Sequence, residues 1–148
     1  MRIFLLLISL LAGIAGVRAQ DAATAVRRYD FTMSSPQGDV TGLLVARLAD
    51  DGDVNASVIN PFGFSAIDFS YNAARNKVKL NYVVSFLDSW RVKYVLKRDL
   101  TVLMALLTDS GRPVPSRYNA LGSGDGLTLT NTRYGLSYSV KPLETDRK

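Results

Sequence analysis

The sequence predicts an α+β protein: a curved, mostly antiparallel β-sheet with one main α-helix packed on its concave face. Three observations carry this. Between residues 27 and 83, apolar and polar residues alternate with the two-residue period of half-buried strands, and turn residues separate the runs. From Asp88 to Leu107 the period becomes helical, gathering Val92, Val95, Leu96, Leu100, Leu103, Leu106 and Leu107 on one broad stripe. Between them, the run VINPFGFSAIDFSY at 58–71 changes parity, which calls for an extra residue or a sharp bend.

The first residues read as an address. Arg2 precedes an apolar stretch from Ile3 to Val17, and Val17 and Ala19 stand where a signal peptidase expects small residues. A signal peptide over 1–19 is expected, followed by a single domain over 20–141 and a polar tail over 142–148. The apolar stretch is shorter than the ~20 residues of a membrane-spanning helix, so the mature chain is expected to hold no transmembrane segment.

Tyr29, Phe31 and Met33 alternate with Asp30 and Thr32 in a one-sided strand, broken at Pro36 and Gly38. Asp39 to Leu48 is apolar on both parities at GLLVA, as in a strand covered on both faces. Asp51-Gly52 then predicts a two-residue hairpin turn with positive φ at both central positions. Asp50, Asp51 and Asp53 lack the spacing of a calcium loop. Asn55-Ala56-Ser57 has the form of a glycosylation acceptor, for which chance inside a strand is explanation enough.

Val54, Ala56 and Val58 share one parity, which Phe62 and Phe64 continue; Ile67, Phe69 and Tyr71 take the other. A bulge or bend after Ser65-Ala66, or an ordinary turn at Asn60–Gly63, accounts for the switch. Val78, Leu80 and Tyr82 are expected inward, with Lys77, Lys79 and Asn81 outward. Asp88, or Ser85 before it, is the expected helix N-cap; RVKYVLK also alternates like a strand, so a start near Leu96 stays open. Residues 108–126 read as a long connection, or as one hiding a strand around Ser116–Ala120. A last hairpin places Leu127 and Leu129 before the NTR turn and Tyr134, Leu136 and Tyr138 after it.

Composition excludes several chemistries. Histidine and cysteine are absent, so Ser–His and Cys–His nucleophiles, disulfides and metal sites built on those residues cannot be assembled. Without a cysteine the chain cannot be a bacterial lipoprotein. The net charge of +5 includes Arg2 and Arg18 of the leader, and the remaining cations are scattered, which gives no sign of nucleic-acid binding. Asp30, Asp68, Asp88 and Asp99 each have an ordinary role in a strand, turn, cap or surface, so paired-carboxylate catalysis gains no support. The chain is read as no enzyme, with no catalytic residue, metal or cofactor.

On the helix, Trp90 and Tyr94 fall opposite the apolar stripe, flanked by Lys93 and Lys97 on one side and Arg91 and Arg98 on the other. The strip suits a second packing face, a membrane surface, or the edge of a pocket for a ligand with an acidic headgroup.

The run GLLVARLADDGDVNASVINPFGFSAIDFSY, with Asn60-Pro61-Phe62-Gly63 leading to Asp68-Phe69, then Leu87 to Trp90 and the Lys97–Leu100 end, covers about residues 40–100. It resembles small envelope proteins of Bacteroidetes distantly related to the LolA/LolB lipoprotein-carrier superfamily. The resemblance implies an open half-barrel with a helix on its concave face, shielding an acyl chain, lipid or lipoprotein tail. It also implies a periplasmic location, with peripheral association at the outer membrane. The lining it suggests is Phe62, Phe64, Ile67, Phe69, Tyr82, Leu87, Trp90 and Leu103, with Lys93, Tyr94, Lys97 and Arg98 for a headgroup or surface. The chain is short for such a carrier and lacks the lipobox cysteine of a LolB-like receptor. The alternative is a structural or interaction module of the envelope, with a filled core and other envelope proteins as partners.

Overall fold

A computed structural model describes residues 25–36 and 38–143. The expected signal peptide and most of the polar tail lie outside the described residues. The elements in order are β1 (Ala25–Ser35), β2 (Gly38–Leu48), β3 (Val54–Ile59), β4 (Ser65–Asn72), β5 (Lys77–Val83), a 3-10 turn (Ser85–Leu87), α1 (Trp90–Leu107), β6 (Tyr118–Ser123), β7 (Gly126–Asn131) and β8 (Leu136–Pro142). The strands form one open sheet in the order β5-β4-β3-β2-β1-β8-β7-β6, with every neighbouring pair antiparallel. An α+β protein with an antiparallel sheet and one helix is what the alternation and the change of period call for.

Alternation decides which side chains face the helix. Tyr29, Phe31 and Met33 of β1, Leu44 and Ala46 of β2, Val54, Ala56 and Val58 of β3, and Ile67, Phe69 and Tyr71 of β4 are buried on one face. Leu129, Tyr138 and Val140 continue that face across β7 and β8. The helix covers it with Leu96, Leu100, Leu103 and Met104.

The parity switch in the 58–71 run is a bulge. Val58 pairs with Ile67 but Ile59 pairs with Ser65, leaving Ala66 as the extra residue. The turn at Asn60–Phe64 is present as well: Asn60 Oδ1 accepts from the N–H groups of both Phe62 and Phe64. Gly42 completes the bend, since a Cβ there would collide with the carbonyl oxygen of Ile59.

α1 is fastened toward both sides of the sheet. Thr101 Oγ1 accepts from the N–H of Val78 on edge strand β5 at 3.2 Å. Two residues earlier in the chain, Asp99 is bonded to β6, β7 and β8. Groups at opposite ends of an eight-stranded order reach neighbouring positions of one helix only if the sheet curves around it.

Three expectations are corrected. The N-cap is Ser89, whose side chain accepts from Val92 N–H, not Asp88 or Ser85; α1 therefore starts at Trp90, not Asp88. The 49–53 turn has positive φ only at Gly52: Gly52 N–H donates to Ala49 and Ala49 N–H to Asp53, making a longer turn ending in a left-handed glycine. Tyr82 points away from the helix, because Asn81 is a second extra residue in the β4–β5 register and Val83 takes the inward place. The 108–126 connection does hide a strand near Ser116–Ala120: it is β6, Tyr118–Ser123, and Arg112 ties the loop before it to the carbonyls of Ala73 and Ala74.

Candidate functional site

Antiparallel order puts the β1–β2 turn, the β3–β4 turn, the end of β5 with its 3-10 turn, the start of α1 and the β7–β8 turn at one end of the sheet. At this end the helix does not seal against the strands. A cleft of about 490 Å³ opens there, within the range of small-ligand sites. Its floor is Met33, Leu87, Leu96 and Tyr138, all buried. Val92 and Val95 of α1 and Val40 and Leu136 of the sheet form its walls; Phe86 and Tyr134 stand at the rim.

Two charged side chains also line it, Asp39 and Arg91. The Arg91 guanidinium lies over the Trp90 ring, 5.2 Å from the centroid. Stacking on an exposed indole keeps the cation at the mouth, where it suits an acidic group attached to an apolar chain.

The cleft floor leans on a buried polar cluster. Asp99 is fully buried on α1. Its Oδ1 accepts from Tyr118 Oη at 2.7 Å and Asn131 Nδ2 at 2.8 Å, and its Oδ2 from Tyr138 Oη at 2.6 Å. The three donors come one each from β6, β7 and β8. Burial holds the Asp99 carboxyl above its ordinary range, against the pull of the donated bonds and of Arg98. Burial and the adjoining Asp99 raise the hydroxyls of Tyr118 and Tyr138 as well. Tyr138 thus serves twice: its hydroxyl holds the helix through Asp99 and its ring, packed against Phe31, faces the cleft. The surface-or-cap role read for Asp99 is corrected: Leu96, Asp99 and Leu103 share one helix face, and that face is the core.

The residues singled out from sequence fall into three places. Ile67, Phe69 and Leu103 are packed in the core below the cleft, and Leu87 lines the cleft itself. Phe62, Phe64, Tyr82 and Trp90 are exposed. Lys93, Tyr94, Lys97 and Arg98 lie away from the cleft: Lys93 pairs with Asp88 at 2.9 Å, and Arg98 stacks over Tyr94. Trp90 and Tyr94 do not form a second packing face, because the strands lie against the opposite side of α1. Arg91, Val95, Leu96, Tyr138 and Asp99 were missed as site residues; Val95 and Leu96 stood in the apolar stripe, and an aspartate inside that stripe was the signal for Asp99.

Among the described residues no cluster of three potential metal ligands occurs, and no helix is long and apolar enough to cross a membrane. A second hollow of about 310 Å³, on the outer face, has a mixed lining, with Arg47, Asn55, Ser57, Asp68 and Asn81 beside Val45 and Ile59. No protein-family model and no curated protein matches the chain.

Proposed function

We propose that this is a non-catalytic binding protein of the bacterial envelope, an open half-barrel whose cleft takes the acyl chain of a lipid or lipoprotein. The observation that carries the reading is the cleft itself: about 490 Å³, walled mainly by aliphatic and aromatic side chains, with Arg91 and Asp39 as its charged lining residues. Burying a chain there removes apolar surface from water on both partners, at about 25 cal/mol per Å². Arg91 meets a phosphate or carboxylate at the opening. The likeness of residues 40–100 to LolA/LolB-related proteins supports the same reading and a periplasmic site of action.

A second reading rests on a different observation. Below the cleft the interior is filled, with Leu44, Val58, Ile67, Leu100 and Leu103 fully buried. That packing suits an interaction module that acts through its surface. Native mass spectrometry of protein purified from its own envelope separates the two: the ligand reading expects a co-purifying lipid of one acyl class, and a uniformly bare protein favours the module.

A further inference from the structure

The exposed aromatic residues are unevenly placed. Phe62 and Phe64 in the β3–β4 turn are 86% and 70% exposed, Phe86 in the 3-10 turn 68%, and Trp90 at the start of α1 73%. Tyr134 in the β7–β8 turn is exposed too. All five stand at the end of the sheet where the cleft opens. The turns at the other end, 49–53, 73–76 and 124–125, contain no aromatic residue.

Nothing in the fold needs this exposure. The β3–β4 turn is held by Asn60 Oδ1 and by the bond from Asn60 N–H to the Phe64 carbonyl, so the two phenylalanines contribute no packing to it. Leaving four large apolar side chains in water at one end is unfavourable unless something covers them.

The charges around them say what that is. Arg91 lies over Trp90, and Arg133 lies over Tyr134 at 5.5 Å. These two arginines are the cations stacked on those exposed rings; Asp39 also lines the cleft, while Lys93 is paired with Asp88, and Lys97 and Arg98 lie further along α1. Aromatic tips that enter the acyl boundary, with arginines held at ring height, match the depth profile of an anionic bilayer: headgroups above, hydrocarbon below. A protein partner would need a shaped, continuous surface, whereas these side chains project from four separate segments around an opening.

We propose that this end of the molecule docks on an anionic lipid surface, with Phe62, Phe64, Phe86 and Trp90 inserted and Arg91 and Arg133 against the headgroups. Docking in this pose places the cleft mouth on the bilayer. The inference deepens the ligand reading above, and rests on it for the source of the chain, while the docking itself is measured separately.

Trp90 is the only tryptophan, so its emission reports insertion directly. With vesicles of equal parts phosphatidylcholine and phosphatidylglycerol, the protein is expected to float with the lipid and its emission to move to shorter wavelength. Phosphatidylcholine alone is expected to bind more weakly, and raised salt to weaken the anionic case. The double variant Phe62→Ser/Phe64→Ser is expected to lose affinity by roughly 100-fold, about tenfold per inserted ring, and to melt like the parent. Arg133→Gln is expected to lose about fivefold on anionic vesicles only.

Absence of flotation and of a spectral shift with either vesicle would overturn the proposal, as would a double serine variant that binds like the parent. A serine variant that instead turns a dimer into a monomer, with no vesicle binding by either form, would assign the patch to self-association. Uptake of a fluorescent fatty acid in vesicle-free solution isolates the ligand reading. Uptake without docking removes only this inference, and docking without uptake removes only the ligand reading.

Discussion

Asp99 offers the sharpest test of how the helix is held. Replacing it with alanine removes the acceptor of three hydrogen bonds and leaves Tyr118 Oη, Asn131 Nδ2 and Tyr138 Oη without it in a buried site. An unsatisfied buried donor costs about 1–3 kcal/mol. Taking the lower end for each, because water enters the space vacated by the carboxylate, the loss is about 3 kcal/mol, a large share of the ~5–15 kcal/mol of a whole domain. At about 4 °C per kcal/mol for a domain of this size, the melting temperature falls by about 12 °C. Asp99→Asn keeps the shape and one carbonyl for the Tyr118 and Asn131 donors, and Tyr138 can turn its hydroxyl to accept from the new amide. Its cost is therefore about 1 kcal/mol.

The same residue gives a pH signature. Burial raises the Asp99 pKa in the folded state above the ordinary value. A folded state that holds the proton more tightly than the unfolded chain gains most below the ordinary aspartate pKa of about 4. That gain disappears as pH rises through the raised folded value. The stability difference between the parent and Asp99→Asn should thus shrink or reverse as pH climbs from about 4, with a slope no steeper than ~1.4 kcal/mol per pH unit. Urea titrations of parent, Asn and Ala proteins at several pH values provide the numbers. An alanine variant within about 1 kcal/mol of the parent, or an asparagine variant as damaged as the alanine one, would refute the closed cluster as the fastening of α1.

Other variants test the remaining structure. Gly42→Ala is expected to cost roughly 1–3 kcal/mol by thermal or urea unfolding, because its methyl group must push back the Ile59 carbonyl at the bend into the β3–β4 turn. Ser89→Ala is expected to cost about 1 kcal/mol by removing the acceptor for the Val92 N–H at the helix start. Thr101→Val, which leaves the β5 edge N–H of Val78 without its acceptor, is expected to cost about 1 kcal/mol and to speed hydrogen exchange at that amide.

Much of this fold is local, and therefore legible. Tyr29-Phe31-Met33 and Val54-Ala56-Val58 show their inward faces by alternation alone, and the register change at Ala66 is visible because Phe69 and Tyr71 sit on the opposite parity from Val58. Tyr82 was misplaced because its bulge residue, Asn81, comes with no glycine or proline to announce it. Phe62 and Phe64 continue the parity of β3 on paper, but the chain has already turned at Asn60, so alternation no longer reports a face.

The site is less legible than the fold because it is assembled from distant segments. The cleft draws on 33–36, 38–40, 86–96 and 134–138, which only the pairing of β1 with β8 and the crossing of α1 bring together. Asp99 stood in plain view inside an apolar stripe, yet its donors lie 19, 32 and 39 residues further along. Their convergence depends on the β6–β7–β8 register. A lone polar residue on a buried helix face was the legible part; its partners were not.

The most direct measurement is titration of the protein with a fluorescent fatty acid, displaced by an unlabelled one, in the parent and in Val95→Trp. Val95 is half-buried in the cleft wall, so an indole there blocks the cleft without entering the packed core. The parent should take up the fatty acid at one saturable site per molecule. The variant should lose that uptake while melting like the parent. Absence of saturable binding in the parent, or equal binding by the two, would show that the cleft is not a seat for an acyl chain.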